Sequence, residues 1–192
     1  MPRHALLTLA IIAACASPRA NAADGVDWPS YNRTLTSERY VALSGIDTKN
    51  VKDLAVVCTY DTGEQSGFQS GLIQIDGALF ATTEHDTFSI DPDTCKQNWR
   101  AHEDFKGGML QVNRGVAVLD GRVFRGTADG RVLAYDAKDG KRLWATTIAD
   151  AARGESVPAA PIAWNGLVFI GNAGSDNKGV KGRMYALDAN DG

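Results

Sequence analysis

Apolar and polar residues alternate in short bursts along the chain, and the bursts come in sets of four. In the clearest set the runs are Gly115 to Leu119, Arg122 to Thr127, Arg131 to Asp136 and Arg142 to Thr147, rich in Val, Leu, Phe and Tyr. Between them lie turns such as Asp120-Gly121 and Ala128-Asp129-Gly130, which supply the positive φ that tight hairpins need. This pattern predicts a four-stranded antiparallel meander. The set recurs: the turn pairs Asp76-Gly77, Asp120-Gly121 and Asn165-Gly166 lie 44 and 45 residues apart, and Trp99 and Trp144 are 45 apart. A period near 45 residues is that of propeller blades, so the chain is expected to be all-β, with about three four-stranded blades. The only helical signal is short, with Asp47 as N-cap before Thr48-Lys49-Asn50-Val51-Lys52-Asp53-Leu54.

The third set stops at Gly192 after its third strand, whereas the second continues from Gly140 into the strand that carries Trp144. A propeller protects its strand edges by closing its ring. Three blades, the last incomplete, are therefore expected to be a fragment of a longer ring.

Composition adds limits. The chain has 192 residues, 44% of them hydrophobic and 22% charged, and a formal net charge of −3. It reads as an ordinary globular protein with no Lys/Arg run, which argues against a nucleic-acid partner. The first residues combine Arg3 and His4, an apolar stretch from Ala5 to Ala16 and the site Ala20-Asn21-Ala22, which together read as a secretory signal over residues 1–22. Ile12-Ala13-Ala14-Cys15 also fits a lipoprotein signal, with anchoring through Cys15 as the alternative to release into the periplasm. No later stretch approaches 18 apolar residues, so no transmembrane span is expected. Plain cleavage leaves Cys58 and Cys95, an even count in an oxidising compartment; they are read either as a disulfide or as two buried thiols.

Meander geometry also sorts residues by position. If each first strand starts at the top of the ring and the Asp-Gly turn lies at the bottom, the lead-in and the second-to-third-strand loop of each blade share one rim. The lead-ins hold Gln69, then Asn113 and Arg114, then Ser156 to Ala159. The loops hold Glu84-His85-Asp86, Ala128-Asp129-Gly130 and the long stretch from Gly171 to Gly182. From Ile170 to Asp188 the third blade takes 18 steps where the second takes 11, and rim insertions are where function tends to be placed. Asp176 and Asn177 sit there among glycines, a hard-oxygen setting that suits calcium or, on the plainer reading, a solvated turn. Glu84-His85-Asp86 reads as a polar hairpin tip rather than a metal or general-base site. No nucleophile–base pair or phosphate-cradling loop is evident.

The stretch "DWPSYNRTLTSERYVALSGIDTKNVKDLAVV", followed by blades of the form "AYDAKDGKRLW", resembles the N-terminal part of the pyrroloquinoline quinone (PQQ) dependent alcohol dehydrogenases. The resemblance implies an eight-bladed propeller, incomplete here, with PQQ and calcium over its channel. It divides the chain into the signal, an N-terminal extension over 23–60 and blades over 61–192. Trp99 and Trp144 match the tryptophans that dock one blade on the next. "QVNRGVA" resembles the segment whose Arg pairs with the cofactor, so Arg114, with Asn113 and Gln69 beside it, is the implied PQQ contact set. Three carboxylates on PQQ suit a planar guanidinium, which can form two parallel hydrogen bonds. The third-blade loop matches a family loop that supplies a metal-binding Glu, with Asp176 in that place and one extra residue before Gly179. Gln69 stands where the family has Glu, Pro158 near a cofactor-contacting Thr, and "GGML" where many members carry vicinal cysteines.

The family's catalytic Asp and its Asn metal ligand belong to later blades, so no catalytic residue is expected here and the chain should not turn over alone. The implied function is that of the N-terminal piece of a periplasmic PQQ- and calcium-dependent dehydrogenase, with an alcohol-type substrate and a quinone or cytochrome acceptor. The rival is a non-catalytic propeller scaffold, like the lipoprotein of the outer-membrane barrel-assembly machinery. The Ile12 to Cys15 signal and the missing Glu and Thr favour that rival; Arg114 and the inserted loop favour the dehydrogenase.

Overall fold

The computed structural model describes residues 27–106, 112–174 and 176–192; the Ala20-Asn21-Ala22 site, Cys15 and the Gly107 to Leu110 stretch lie outside the described residues. Eleven strands form three antiparallel sheets in sequence order. Blade 1 holds β1 (Ile73–Ile75), β2 (Ala78–Thr82), β3 (Asp86–Ile90) and β4 (Gln97–His102). Blade 2 holds β5 (Ala117–Leu119), β6 (Arg122–Gly126), β7 (Arg131–Asp136) and β8 (Arg142–Thr147). Blade 3 holds β9 (Ile162–Trp164), β10 (Leu167–Gly171) and β11 (Met184–Asp188). The first hairpin of every blade turns on the same backbone: Asp76, Asp120 and Asn165 have φ of 50°, 49° and 49°, each followed by a positive-φ glycine. Two consecutive positive φ values match the twist of the paired strands, which is why Asp-Gly and Asn-Gly recur there.

The helical expectation shrinks to one 3₁₀ turn, Val51–Asp53. Asp47 Oδ1 accepts from the backbone N–H groups of Lys49 and Asn50, so it nucleates a turn. Val51 and Leu54 are exposed, so no apolar face is buried that would extend the turn into a helix.

The core is two cores, one in each seam between blades. Ile73, Phe80, Trp99, Val118, Val123, Leu133 and Tyr135 pack between blades 1 and 2. Phe124, Val132, Ala134, Trp144, Val157, Val168, Ile170 and Ala189 pack between blades 2 and 3. Successive residues of β6 and β7 therefore point into different seams, and a strand buried on both faces reads as a continuous apolar run.

Each seam carries a tryptophan clasp. Trp99 donates its indole N–H to the Ala137 carbonyl at 2.9 Å, and Trp144 donates to Ala189 at 3.1 Å. The rings lie over Gly140 and Gly192, where an added Cβ would stand 2.6 Å and 2.8 Å from indole carbons. Both glycines have positive φ, so any side chain there would meet the indole and be strained as well. A register shift between Ser89 and Ile90, repeated between Ala134 and Tyr135, lies beside each Trp and re-aims the fourth strand.

The N-terminal segment runs along the inner strands. Trp28 pairs antiparallel with Gln74, Asp27 accepts from the Asp76 N–H, and the Pro29 carbonyl lies 3.4 Å from the Val118 nitrogen. Cys58 and Cys95 are bonded, with Cα atoms 5.7 Å apart.

Candidate functional site

Backbone and side-chain bonds join each lead-in to the end of the second strand of its own blade or to the loop that follows it, so the two segments share one rim. Ser70 Oγ accepts from Thr82 N–H at 2.9 Å, Asn113 donates to the Gly126 carbonyl at 2.8 Å, and Ser156 and Ala173 exchange two backbone bonds. The lead-ins are also laced sideways. The Gly71 N–H donates to the Arg114 carbonyl at 3.1 Å, and the Arg114 N–H donates to the Pro158 carbonyl at 2.9 Å. Gly115 makes this approach possible: with φ of 117°, a Cβ there would stand 2.9 Å from the Gly71 carbonyl oxygen.

Arg114 is thus held through its backbone by all three blades, while its side chain is exposed and makes no hydrogen bond or ion pair among the described residues. It borders a cavity of about 280 Å³ lined also by Tyr31, Asn32, Leu35, Pro161 and Ile162. A guanidinium without a partner among the described residues, beside a cavity, is suited to an anionic, planar group.

Asn113 occupies a different environment. It is 2% exposed, and its amide is engaged inside the protein. Oδ1 accepts from Thr82 Oγ1 at 2.7 Å and from Gly115 N–H at 3.0 Å, while Nδ2 donates to Gly126. Its bonds bracket Arg114, so it positions the arginine backbone. Gln69 is exposed, two residues before Gly71. Pro158, which has no N–H to offer, contributes its carbonyl to Arg114.

Asp176 lies exposed in the third-blade loop. The loop is closed by Asn172, which accepts from Arg183 N–H at 2.6 Å and donates to the Lys181 carbonyl. It is tied to the blade by Asn177, which donates to the Gly154 carbonyl at 3.2 Å. Among the described residues Asp176 makes no bond to Arg114, Asn113 or Gln69.

Two groups in the seam between blades 1 and 2 escape a reading for motifs. Arg125 is fully buried and spends its guanidinium on carbonyls of the blade 1 rim loop, at 2.8 Å to Asp86, 2.6 Å to Glu84 and 3.2 Å to Thr83. Glu103 accepts from Arg131, Arg142 and Tyr135 at 2.9–3.1 Å, joining the end of β4 to blade 2. Burial pushes the Tyr135 hydroxyl well above the usual phenol range; Arg125 opposes the shift and Glu103 adds to it. Arg125 does leave a trace in the repeat. It stands in the column of Ala81 and Ile170, both buried apolar residues, so an arginine in a core column marks a buried contact.

Comparison with known proteins agrees with this architecture. Residues 28–192 match the family described as PQQ: Glucose/ethanol/alcohol dehydrogenase, beta-propeller domain. The dehydrogenase subunit of the quinone alcohol dehydrogenase of Acetobacter aceti is 36% identical over 179 residues, covering 86% of this chain and 24% of the relative. The crystal structure of the quinohemoprotein alcohol dehydrogenase from Comamonas testosteroni superposes with a TM-score of 0.80 at 32% identity, covering 91% of this chain and 27% of that one. BamB from Moraxella catarrhalis superposes at 0.51 with 19% identity over 70% of this chain and 37% of its own, a likeness of fold alone. The chain spans about a quarter of the length of the dehydrogenases it matches. The repeat, the two tryptophan clasps and these matches together place the chain in the PQQ-dependent alcohol dehydrogenase β-propeller family.

Proposed function

We propose that these blades form part of the cofactor-binding face of a PQQ- and calcium-dependent alcohol dehydrogenase that works in the periplasm, with Arg114 as the principal contact to the PQQ carboxylates. The observation that carries this reading is the backbone clamp on Arg114, which holds the root of a solvent-facing side chain with a donor from one blade and an acceptor from another. A residue held this way has no backbone freedom left to lose when its side chain binds an anion. Gln69 would add a neutral hydrogen bond, and Asn113 would act through the Arg114 backbone. Asp176 would give calcium one carboxylate, with loop carbonyls as further oxygen ligands. When bound, the cofactor supplies an ortho-quinone that accepts two electrons. The residues of this chain bind and orient it, and none is assigned to proton transfer. For the protein in which these blades act, an alcohol is the proposed substrate and a quinone or a cytochrome the proposed acceptor; the Acetobacter aceti relative is named a quinone alcohol dehydrogenase.

The test is a titration of the chain with PQQ, with and without calcium, followed by tryptophan fluorescence. Arg114→Ala should weaken binding about ten- to a hundred-fold, the scale of a charge-assisted bond. Asp176→Ala should weaken only the calcium-dependent part. Equal PQQ affinity in the parent and both variants would reject the assignment and return weight to the scaffold reading.

A further inference from the structure

We propose that Glu64, Glu84 and His85, on the rim of blade 1, bind one divalent cation of the zinc or manganese class. A carboxylate oxygen from each Glu and a ring nitrogen of His85 all lie within 4.8 Å of one another. The three come from two places, Glu64 from the segment leading into blade 1 and Glu84-His85 from the loop between β2 and β3.

Two independent features call for a cation at this point. The first is a pair of orphan oxygens. Glu84 is only 6% exposed, yet its buried Oε1 has no hydrogen-bond partner among the described residues, and neither has the buried Oε2 of Glu64. A buried carboxylate oxygen left without a partner is expensive, so such atoms mark a ligand or a proton. The second is the tautomer of His85. Its Nε2 lies 3.3 Å from the Phe105 carbonyl, which can only accept, so both ring nitrogens face acceptors while the neutral ring has one hydrogen to give. Nδ1 is then turned to Glu64 Oε1 at 3.0 Å. With the hydrogen on Nε2 this sets a lone pair against a carboxylate, which a second proton or a metal between them relieves. Two ligand atoms each about 2.1 Å from one ion in tetrahedral geometry stand about 3.4 Å apart, so the pair needs to open by only a few tenths of an ångström to admit it. A second-shell bond from the far nitrogen to a backbone carbonyl is also the usual way in which a ligating imidazole is oriented.

The surrounding charges leave the two carboxylates under-compensated. Arg125 is spent on the carbonyls of Thr83, Glu84 and Asp86. His102 and Arg100 are taken by Asp86, and the His102 ring stacks on His85 at 6.0 Å. An imidazole among the ligands points away from calcium and magnesium and toward zinc or manganese. Three protein ligands leave one position open, and the His85 side chain, 28% exposed, gives solvent access to it. The ion would tie the incoming segment to the rim, far along the chain from Asp176.

The test uses the metal-stripped chain titrated with zinc chloride and, separately, manganese chloride, read by calorimetry and by metal content after gel filtration. One zinc per chain is expected, with millimolar calcium failing to displace it. Glu84→Gln and His85→Ala should each weaken zinc at least about tenfold, while His102→Ala and Asp176→Ala should leave it unchanged. X-ray absorption of the zinc-loaded chain should show nitrogen and oxygen neighbours and no sulfur. Should His85→Ala fail to fold, Glu84→Gln keeps the side-chain shape and decides. No stoichiometric binding of either metal, or unchanged affinity in Glu84→Gln, would overturn the proposal and assign the site to a shared proton.

Discussion

Blades 1 and 3 each turn one face to blade 2 and the other away from it, and the two outward faces are finished differently. On blade 1 every residue of β3 is buried. The incoming segment covers it: the Tyr60 ring packs edge-on against Phe88 with centroids 5.3 Å apart, its hydroxyl donates to Gln97 at 2.7 Å, and Cys58 is bonded to Cys95. On blade 3 burial alternates along β11, and Ile162, Trp164 and Met184 stand 49%, 54% and 76% exposed. The same repeat thus gives a strand buried on both faces where something covers it and an alternating one where nothing among the described residues does.

The comparison extends to the clasp sockets. Gly140, Gly192 and Cys95 occupy one turn position; each has positive φ, and each N–H bonds to the carbonyl of an Asp four residues back at 2.9 Å. Two sockets receive a tryptophan from the preceding blade. The third carries a side chain, and a disulfide to the incoming segment lies there. The lesson is that a disulfide and an indole solve the same problem, fastening the edge of a blade to whatever precedes it.

The largest effects should come from the clasps themselves. Trp99→Ala and Trp144→Ala should each destabilise by about 3–5 kcal/mol, the usual cost of emptying a buried indole site. Hydrogen exchange should separate them. Trp144→Ala should strip protection from all of β10, whereas Trp99→Ala should leave β3 partly protected under Tyr60. Equal loss in both blades would break the comparison.

The disulfide comes next. Replacing both Cys58 and Cys95 by Ser opens a loop with a sequence separation of 37 and should cost about 2–4 kcal/mol. The loss should fall on β3 and β4, with β10 and β11 unchanged in exchange rate.

The smallest effect is electrostatic and again specific to blade 1. Burial alone would raise the Asp86 carboxyl, but hydrogen bonds from Arg100 and His102 hold it below its ordinary value of 3.8. A depressed folded value means that this stabilisation is present above 3.8 and is lost as pH falls through the folded value. Asp86→Asn should therefore be less stable than the parent at neutral pH, and the two should converge in acid. Parallel stability curves from neutral pH into strong acid would show that Asp86 contributes nothing.

Much of this was legible in the sequence because a repeat makes each residue a comparison with its counterparts. The hairpin turns, the second-blade strands to within two residues, and the tryptophan positions follow from spacing alone. The helix expected after Asp47 was misjudged because capping chemistry also makes a lone turn, and no apolar face supported more. Asn113 was grouped with the ligand contacts by its place beside Arg114, but its amide is consumed by Thr82, Gly115 and Gly126, a fate set by tertiary contacts. Glu64 carried no signal, since its partners lie some twenty residues onward and only folding brings them together. His85 was read as a surface tip for the same reason.

Three blades fix the backbone of Arg114, and its exposed guanidinium is the group proposed to meet an anionic cofactor. The most direct measurement is a crystal structure of the chain soaked with PQQ. A PQQ carboxylate is expected about 2.7–2.9 Å from the Arg114 guanidinium, with the bonds to Gly71 and Pro158 unchanged. PQQ bound elsewhere, with Arg114 still facing solvent, would contradict it.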